Sequence, residues 1–310
     1  MKLAFRLALY LAGFALALPA ATYYVTIAGL GGEEDYEQRF AGWAADLDKT
    51  FRATGSEEVF TLHGADATRE KVRALFKEIA AKAVEGDALA VMLIGHGSFD
   101  GVEYKFNLPG PDITGVELGQ LLDSVKAGRQ LIADMTSASG AALPALQRPN
   151  RVVVAATKSG TEKNAVVFAR YWVAALSDAS ADTDKNDVIS ALEAFNYAAR
   201  KTADFYTSQK RLATEHPMIE DTGNGEGVRE ANAENGQGLK AAAFPLLRIG
   251  KTQLAAQDPA KRALLDKKES IEQQIDKLKY EKAAMPLTEY RQQLTELLVE
   301  LAKTQAELDK

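Results

Sequence analysis

The chain has 310 residues, 46% of them hydrophobic and 26% charged, and 37 Lys and Arg against 43 Asp and Glu leave a net charge of −6. This is the composition of a globular protein long enough to bury a core, and the lack of a basic stripe excludes a nucleic-acid backbone as partner. There is no cysteine, which removes disulfides, thiolate zinc sites and any thiolate nucleophile at once.

Residues 1–21 read as a signal peptide. Lys2 and Arg6 give a positive start, Leu7 to Leu18 run apolar, and small residues at Ala15 to Ala17 and Pro19 to Ala21 offer cleavage sites. The apolar run, about 12 residues, is shorter than the roughly 20 that a permanent span needs. The expectation is export, to the periplasm or the medium, with no permanent membrane span; an uncleaved N-terminal anchor is the alternative.

Tyr23 to Gly29 is β-rich and ends in a glycine loop, and residues 35–53 carry Tyr36, Phe40, Trp43, Ala44 and Leu47 at helical spacing. Val59 to Leu62 reads as a short strand. Residues 68–84 read as an amphipathic helix with Val72, Leu75, Phe76 and Ile79 on one face. Ala88 to Ile94 is apolar without interruption, as in a strand covered on both sides. After a stretch punctuated by Gly and Pro, from Gly95 to Thr114, come a helix over 116–125 and strands over 130–135 and 151–157. Helices at 165–177 and 189–209 and a last strand over Ala243 to Ile249 complete the body. Strands alternating with helices predict an α/β sandwich with a mostly parallel sheet, its working site beyond the C-terminal ends of the strands.

From about residue 258 the composition shifts to Glu, Gln, Lys and Leu. Two helices, 259–283 and 287–309, are separated by Met285-Pro286. One seam is Leu264, Leu265, Ile271, Ile275 and Leu278; the other is Tyr290, Leu294, Leu297, Leu298, Leu301 and Leu308. This predicts an antiparallel helical hairpin over 253–310, packed on the α/β body of residues 22–252 or on a partner, self-association included.

The Ala88 to Ile94 strand runs into Gly95-His96-Gly97-Ser98. A histidine at such a strand tip is placed to act as a general base, and the Gly97 N–H is placed to face a developing negative charge. The next strand ends in Asp134-Met135-Thr136-Ser137-Ala138-Ser139-Gly140. An apolar strand ending in His-Gly, followed a few dozen residues on by one ending near Ser-Gly, resembles the caspase and legumain class of peptidases across roughly residues 22–250. The stretch from Ala156 through Ser159, Gly160, Glu162 and Asn164 to Thr214-Glu215-His216 resembles exported bacterial members of that class. The resemblance implies a caspase-like sandwich with His96 as base and places Ser137, or Thr136 if the register slips by one, where the family has its cysteine. An alcohol is harder to activate than a thiol and needs an oriented base; Asp100, Glu103 and Asp134 are the acidic candidates for orienting His96.

A second motif stands apart. Asp182-Thr183-Asp184-Lys185-Asn186-Asp187-Val188-Ile189-Ser190-Ala191-Leu192-Glu193 follows the twelve-residue calcium loop of EF-hands. Asp182, Asp184 and Asn186 stand at positions 1, 3 and 5, the Val188 carbonyl at 7, Ser190 at 9 and a bidentate Glu193 at 12. Asp187 replaces the usual glycine at position 6, a substitution that aspartate tolerates better than most residues. The alternative is an acidic helix N-terminus. The run Asp221 to Gly227 lacks a ligand pattern and reads as a surface loop, His63 as a loop residue, and His216 as part of the cleft rim or a structural corner.

Three functions remain open at this level. The first is an exported, caspase-like pseudo-peptidase that binds a peptide or protein partner. The second is a hydrolase using Ser137 or Thr136 with His96. The third is a calcium-stabilised structural module.

Overall fold

A computed structural model describes residues 20–56 and 58–310 of the chain; the apolar run of the expected signal peptide lies outside them. Strand β1 (Thr22–Ala28) leads through α1 (Glu34–Arg52), β2 (Val59–Leu62) and α2 (Arg69–Lys82) to β3 (Ala88–Ile94). Three short strands follow, β4 (Gly97–Phe99), β5 (Tyr104–Phe106) and β6 (Ile113–Thr114). Then come α3 (Gly115–Ser124), β7 (Arg129–Met135), α4 (Leu143–Leu146), β8 (Arg151–Ala155) and α5 (Phe168–Ala175). The body closes with β9 (Val188–Ser190), α6 (Ala191–Ser208), β10 (Met218–Glu220), α7 (Leu239–Ala242) and β11 (Pro245–Arg248). Helices α8 (Gly250–Gln257), α9 (Pro259–Glu281) and α10 (Leu287–Leu308) end the chain.

The main sheet has the order β10-β8-β7-β3-β1-β2. Five strands are parallel, and the edge strand β10 is antiparallel to β8. All seven residues of β3 are buried, because side chains alternate between two cores. Leu89, Val91 and Leu93 join Phe76 and Ile79 of α2 and Leu118 and Leu122 of α3 on one face. Ala90, Met92 and Ile94 join Phe40 and Leu47 of α1, Trp172 of α5 and Phe195 of α6 on the other. The protein is thus the expected α/β sandwich with a C-terminal helical pair. Strand order reverses between β1 and β3, where such sheets have their crevice above the C-terminal ends; here the end of β5 covers part of it, the Leu30 N–H donating to the Asn107 carbonyl at 3.0 Å.

Several elements differ from the sequence reading. The Gly95–Thr114 stretch is a small antiparallel sheet, β4-β5-β6. The 189–209 helix begins at Ala191, since Val188–Ser190 pairs with β11 as a separate two-stranded ribbon. The strand expected over 243–249 therefore lies outside the main sheet, whose edge beside β8 is β10. In the hairpin, α9 buries Leu265, Ile271, Ile275 and Leu278 as expected, but α10 buries only Thr304 and Leu308. Leu298, placed in the second seam, is 48% exposed. The reason is position: α10 packs along α9 and takes little cover from the body, so one neighbouring helix cannot enclose its apolar stripe.

Among the described residues, no helix is long and apolar enough to cross a membrane.

In urea unfolding, Leu89→Ala, at a fully buried position, is expected to cost about 2–5 kcal/mol through lost contacts and a residual cavity. Leu298→Ala is expected to stay within about 0.5 kcal/mol. A loss at Leu298 as large as at Leu89 would contradict the thin packing of α10.

Candidate functional site

The crevice at the β1/β3 reversal is where His96 sits. It follows β3 directly, and its ring meets Tyr36 and Phe40 of α1 edge-on, at centroid distances of 4.7 and 5.2 Å. Burial against these rings lowers its pKa below the usual histidine value, while the Gly31 backbone and the charges of Glu33 and Glu37 pull it back up. The nearby carboxylates thus come from the turn after β1, with Glu33, and from the first turn of α1, with Glu37. Asp100 and Glu103 instead belong to the β4–β5 hairpin, where Asp100 accepts the Val102 and Glu103 N–H groups.

Ser137 lies just past the end of β7 and is 2% exposed. Its hydroxyl donates to the Gly97 carbonyl at 3.0 Å and accepts from the Gly97 N–H at 3.2 Å. Candidate nucleophile and candidate oxyanion donor are therefore bonded to each other. Among the described residues no hydrogen bond joins Ser137 to the His96 ring. Gly97 must be glycine for this closure: a Cβ there would lie 2.6 Å from Thr136 Oγ1 and 2.7 Å from a Tyr104 ring carbon.

Thr136 is fully buried. It donates to Asp134 Oδ1 at 2.7 Å, and the Tyr104 hydroxyl lies 2.7 Å from its Oγ1. Asp134 Oδ2 has no partner. Burial raises the Asp134 pKa to about 6, with the hydrogen bond from Thr136 opposing the shift. Asp134 thus supports the floor of the crevice from the β3 odd-residue face rather than orienting His96.

The loop after β8 closes the other side. Glu162 receives the His216 N–H at 3.1 Å and the Lys158 N–H at 2.8 Å, and its Oε1 faces His216 Nδ1. Its own carbonyl accepts the Ala138 N–H at 2.8 Å, immediately after Ser137. Glu215 accepts the N–H groups of Val167 and Phe168 at the start of α5. His216 therefore belongs to a corner that fixes the Ser137 loop. The roles of Glu162 and Tyr104 were missed from sequence, since their partners lie 54 and 32 residues away. His63 precedes the turn after β2.

The 182–193 loop spans α5 to α6. Oxygens of Asp182, Asp184 and Glu193 lie within 4.8 Å of one another. Asp182 accepts the N–H groups of Asn186 and Asp187, both at 3.2 Å, and Asn186 Oδ1 accepts from Val188 at 2.8 Å. Asp187 has φ +64°, the left-handed conformation that a glycine at position 6 normally supplies. Val188 and Ser190 fall in β9, with Ile189 buried between them. Ser190 and Glu193 cap α6 reciprocally. Burial first, then the charges of Glu193 and Asp182, raise Asp184 to about 6. The donor set is all oxygen, hard and partly anionic, which suits a hard cation. The Asp221–Gly227 run is not built this way: Asp221 turns inward to the N–H groups of Gly238, Lys240 and Ala241.

No protein-family model matches the chain, and a comparison with curated proteins finds no match. Among solved structures, it is similar to the crystal structure of protein GSU0716 from Geobacter sulfurreducens, with 12% identity and a TM-score of 0.48 over 74% of this chain and 100% of that one. A likeness at this level says nothing of activity, ligand or partner.

The raised Asp134 pKa predicts a pH effect with a definite sign. Between 3.8 and about 6 the folded chain holds a proton that the unfolded chain has released, so this group's contribution to stability falls as pH rises through that window and is level above it. Asp134→Asn is expected to remove that slope and to melt higher than the unsubstituted protein at pH 8, measured as the difference between their melting curves from pH 4 to 8. An unchanged difference across the range would refute it.

Proposed function

We propose that this chain is an exported, caspase-like protein that binds a peptide or protein partner without cutting it, and that the 182–193 loop holds calcium. The observation that carries the non-hydrolytic reading is the paired hydrogen bonding of Ser137 with the Gly97 backbone. Attack by an alcohol needs a base at the hydroxyl and a free donor for the developing oxyanion; here the hydroxyl proton goes to a carbonyl and the Gly97 N–H is already used. Thr136 is committed to Asp134. The His-Gly and Ser-Gly strand ends support the family resemblance, and the positive start and apolar run of residues 1–21 support export. Gly97, the Ser137 loop and the Glu162–His216 corner are hydrogen-bonded to one another and would form the face that a partner meets.

Calcium is supported by the six-position motif in the sequence, by the closeness of the Asp182, Asp184 and Glu193 oxygens and by the left-handed Asp187 at the turn. It would be held by Asp182, Asp184, Asn186, the Val188 carbonyl, Ser190 and Glu193, with Glu193 giving up its capping bonds.

The mature protein is to be treated with a fluorophosphonate probe beside a His96→Ala control, with labelled residues read by mass spectrometry. No labelling is expected; labelling of Ser137 or Thr136 that disappears in the control would establish the hydrolase instead. Melting temperature is expected to rise with calcium concentration by mass action, about 2.7 kcal/mol at a hundredfold excess over Kd, and the rise should vanish in Asp184→Asn. A melting temperature indifferent to calcium would remove the metal from the proposal.

A further inference from the structure

The C-terminal helices are tied to the turn of the 182–193 loop. Lys185 and Asp187 are both left-handed, with φ +64°, and the carbonyls of the adjacent residues Asn186 and Asp187 each accept a donor from the C-terminal segment. Lys268 Nζ of α9 donates to the Asn186 carbonyl at 3.0 Å. The Ile249 N–H, one residue before α8, donates to the Asp187 carbonyl at 2.9 Å. Lys268 is 8% exposed, an unusual degree of burial for a lysine, and its ammonium also lies 3.7 Å from Glu272.

The charges across this seat are unfavourable. A cavity of about 220 Å³ has Asp184, Asn186 and Glu193 on the loop side and Glu269, Glu272 and Asp276 on the α9 side. Arg248 pairs with Glu269 at 2.7 Å and Lys279 with Asp276 at 2.9 Å. That leaves Glu272, with Lys268 beside it, facing the acidic loop.

We infer that seating of the α9–α10 hairpin on the body is coupled to occupancy of the 182–193 loop by a divalent cation, so that the loop acts as a latch for the hairpin. This rests on the calcium reading above. A cation among Asp182, Asp184, Asn186 and Glu193 neutralises the face that Glu272 meets. It also fixes the turn whose two carbonyls hold Ile249 and Lys268. Linkage then requires the seated form to bind the ion more tightly and the bound ion to favour the seated form by the same factor. Leu265, Ile271, Ile275 and Leu278 hold α9 down in either state, so the ion sets how often the hairpin opens. α10, packed mainly along α9, follows it.

The test is hydrogen–deuterium exchange on the full mature chain, with calcium, with magnesium and with chelator, beside calorimetric titration of calcium. With calcium, exchange over residues 259–281 is expected to slow roughly tenfold, within the usual range of coupling between sites, while peptides from β3 and β7 change less. Lys268→Met is expected still to bind calcium but to lose most of that response. Glu272→Gln is expected to raise protection of α9 without calcium and so to shrink the response. Calcium binding with unchanged exchange over 259–281 would overturn the latch and leave the calcium site standing, as would slowing shared equally by the whole sheet. Absence of calcium binding would overturn both.

Discussion

A parallel strand buried along its whole length must be covered on both faces, and in a chain without cysteine nothing but burial and hydrogen bonding can hold the cover in place. β3 meets this condition with seven buried residues. Its odd and even residues call for separate layers, α2 and α3 on one side and α1, α5 and α6 on the other. Once both layers are in place, the C-terminal tips of β1, β3 and β7 lie beyond them, where the small β4-β5-β6 sheet meets them. His96, Gly97 and Ser137 are there for that reason, at a position set by topology before any chemistry is considered.

What the tips do with that position depends on hydrogen bonds a few ångströms long. Gly97 approaches the Ser137 loop closely enough that hydroxyl and backbone satisfy each other, and Thr136, Asp134 and Tyr104 form a second layer beneath. A buried hydroxyl without a partner is costly, so a serine in this place, once the strands are fixed, settles on the nearest backbone groups. The result is a rigid, self-satisfied rim. The 182–193 loop has the opposite character: carboxylates of Asp182, Asp184 and Glu193 lie close to one another, and the loop faces the acidic side of α9.

The parts of this architecture legible in the sequence are those with a strong local signal. Ala88 to Ile94 reads as a buried strand, the 68–84 periodicity located α2 to within two residues at each end, and four of the five α9 seam residues are buried, Leu264 being only half-buried. The position of His96 at a strand tip followed from its flanking glycines. Other features had no local signature. β10 is three residues long and ends in Glu220, a fully buried carboxylate that no hydropathy rule would place in a strand. Val188 to Ser190 precedes a well-capped helix, and its strand character comes from pairing with residues more than fifty positions away. α8 lacks an apolar stripe. Whether Ser137 bonds to an imidazole or to a backbone is decided by approach distances across β3 and β7, which spacing in one sequence does not encode.

The lengths of the outer strands bear on how this protein meets others. The main sheet ends in β2, four residues, on one side and β10, three residues, on the other. Exposed strand edges invite a foreign chain to add itself by main-chain pairing, and keeping them short is one way proteins avoid it. Edges this brief give a passing strand little backbone to pair with.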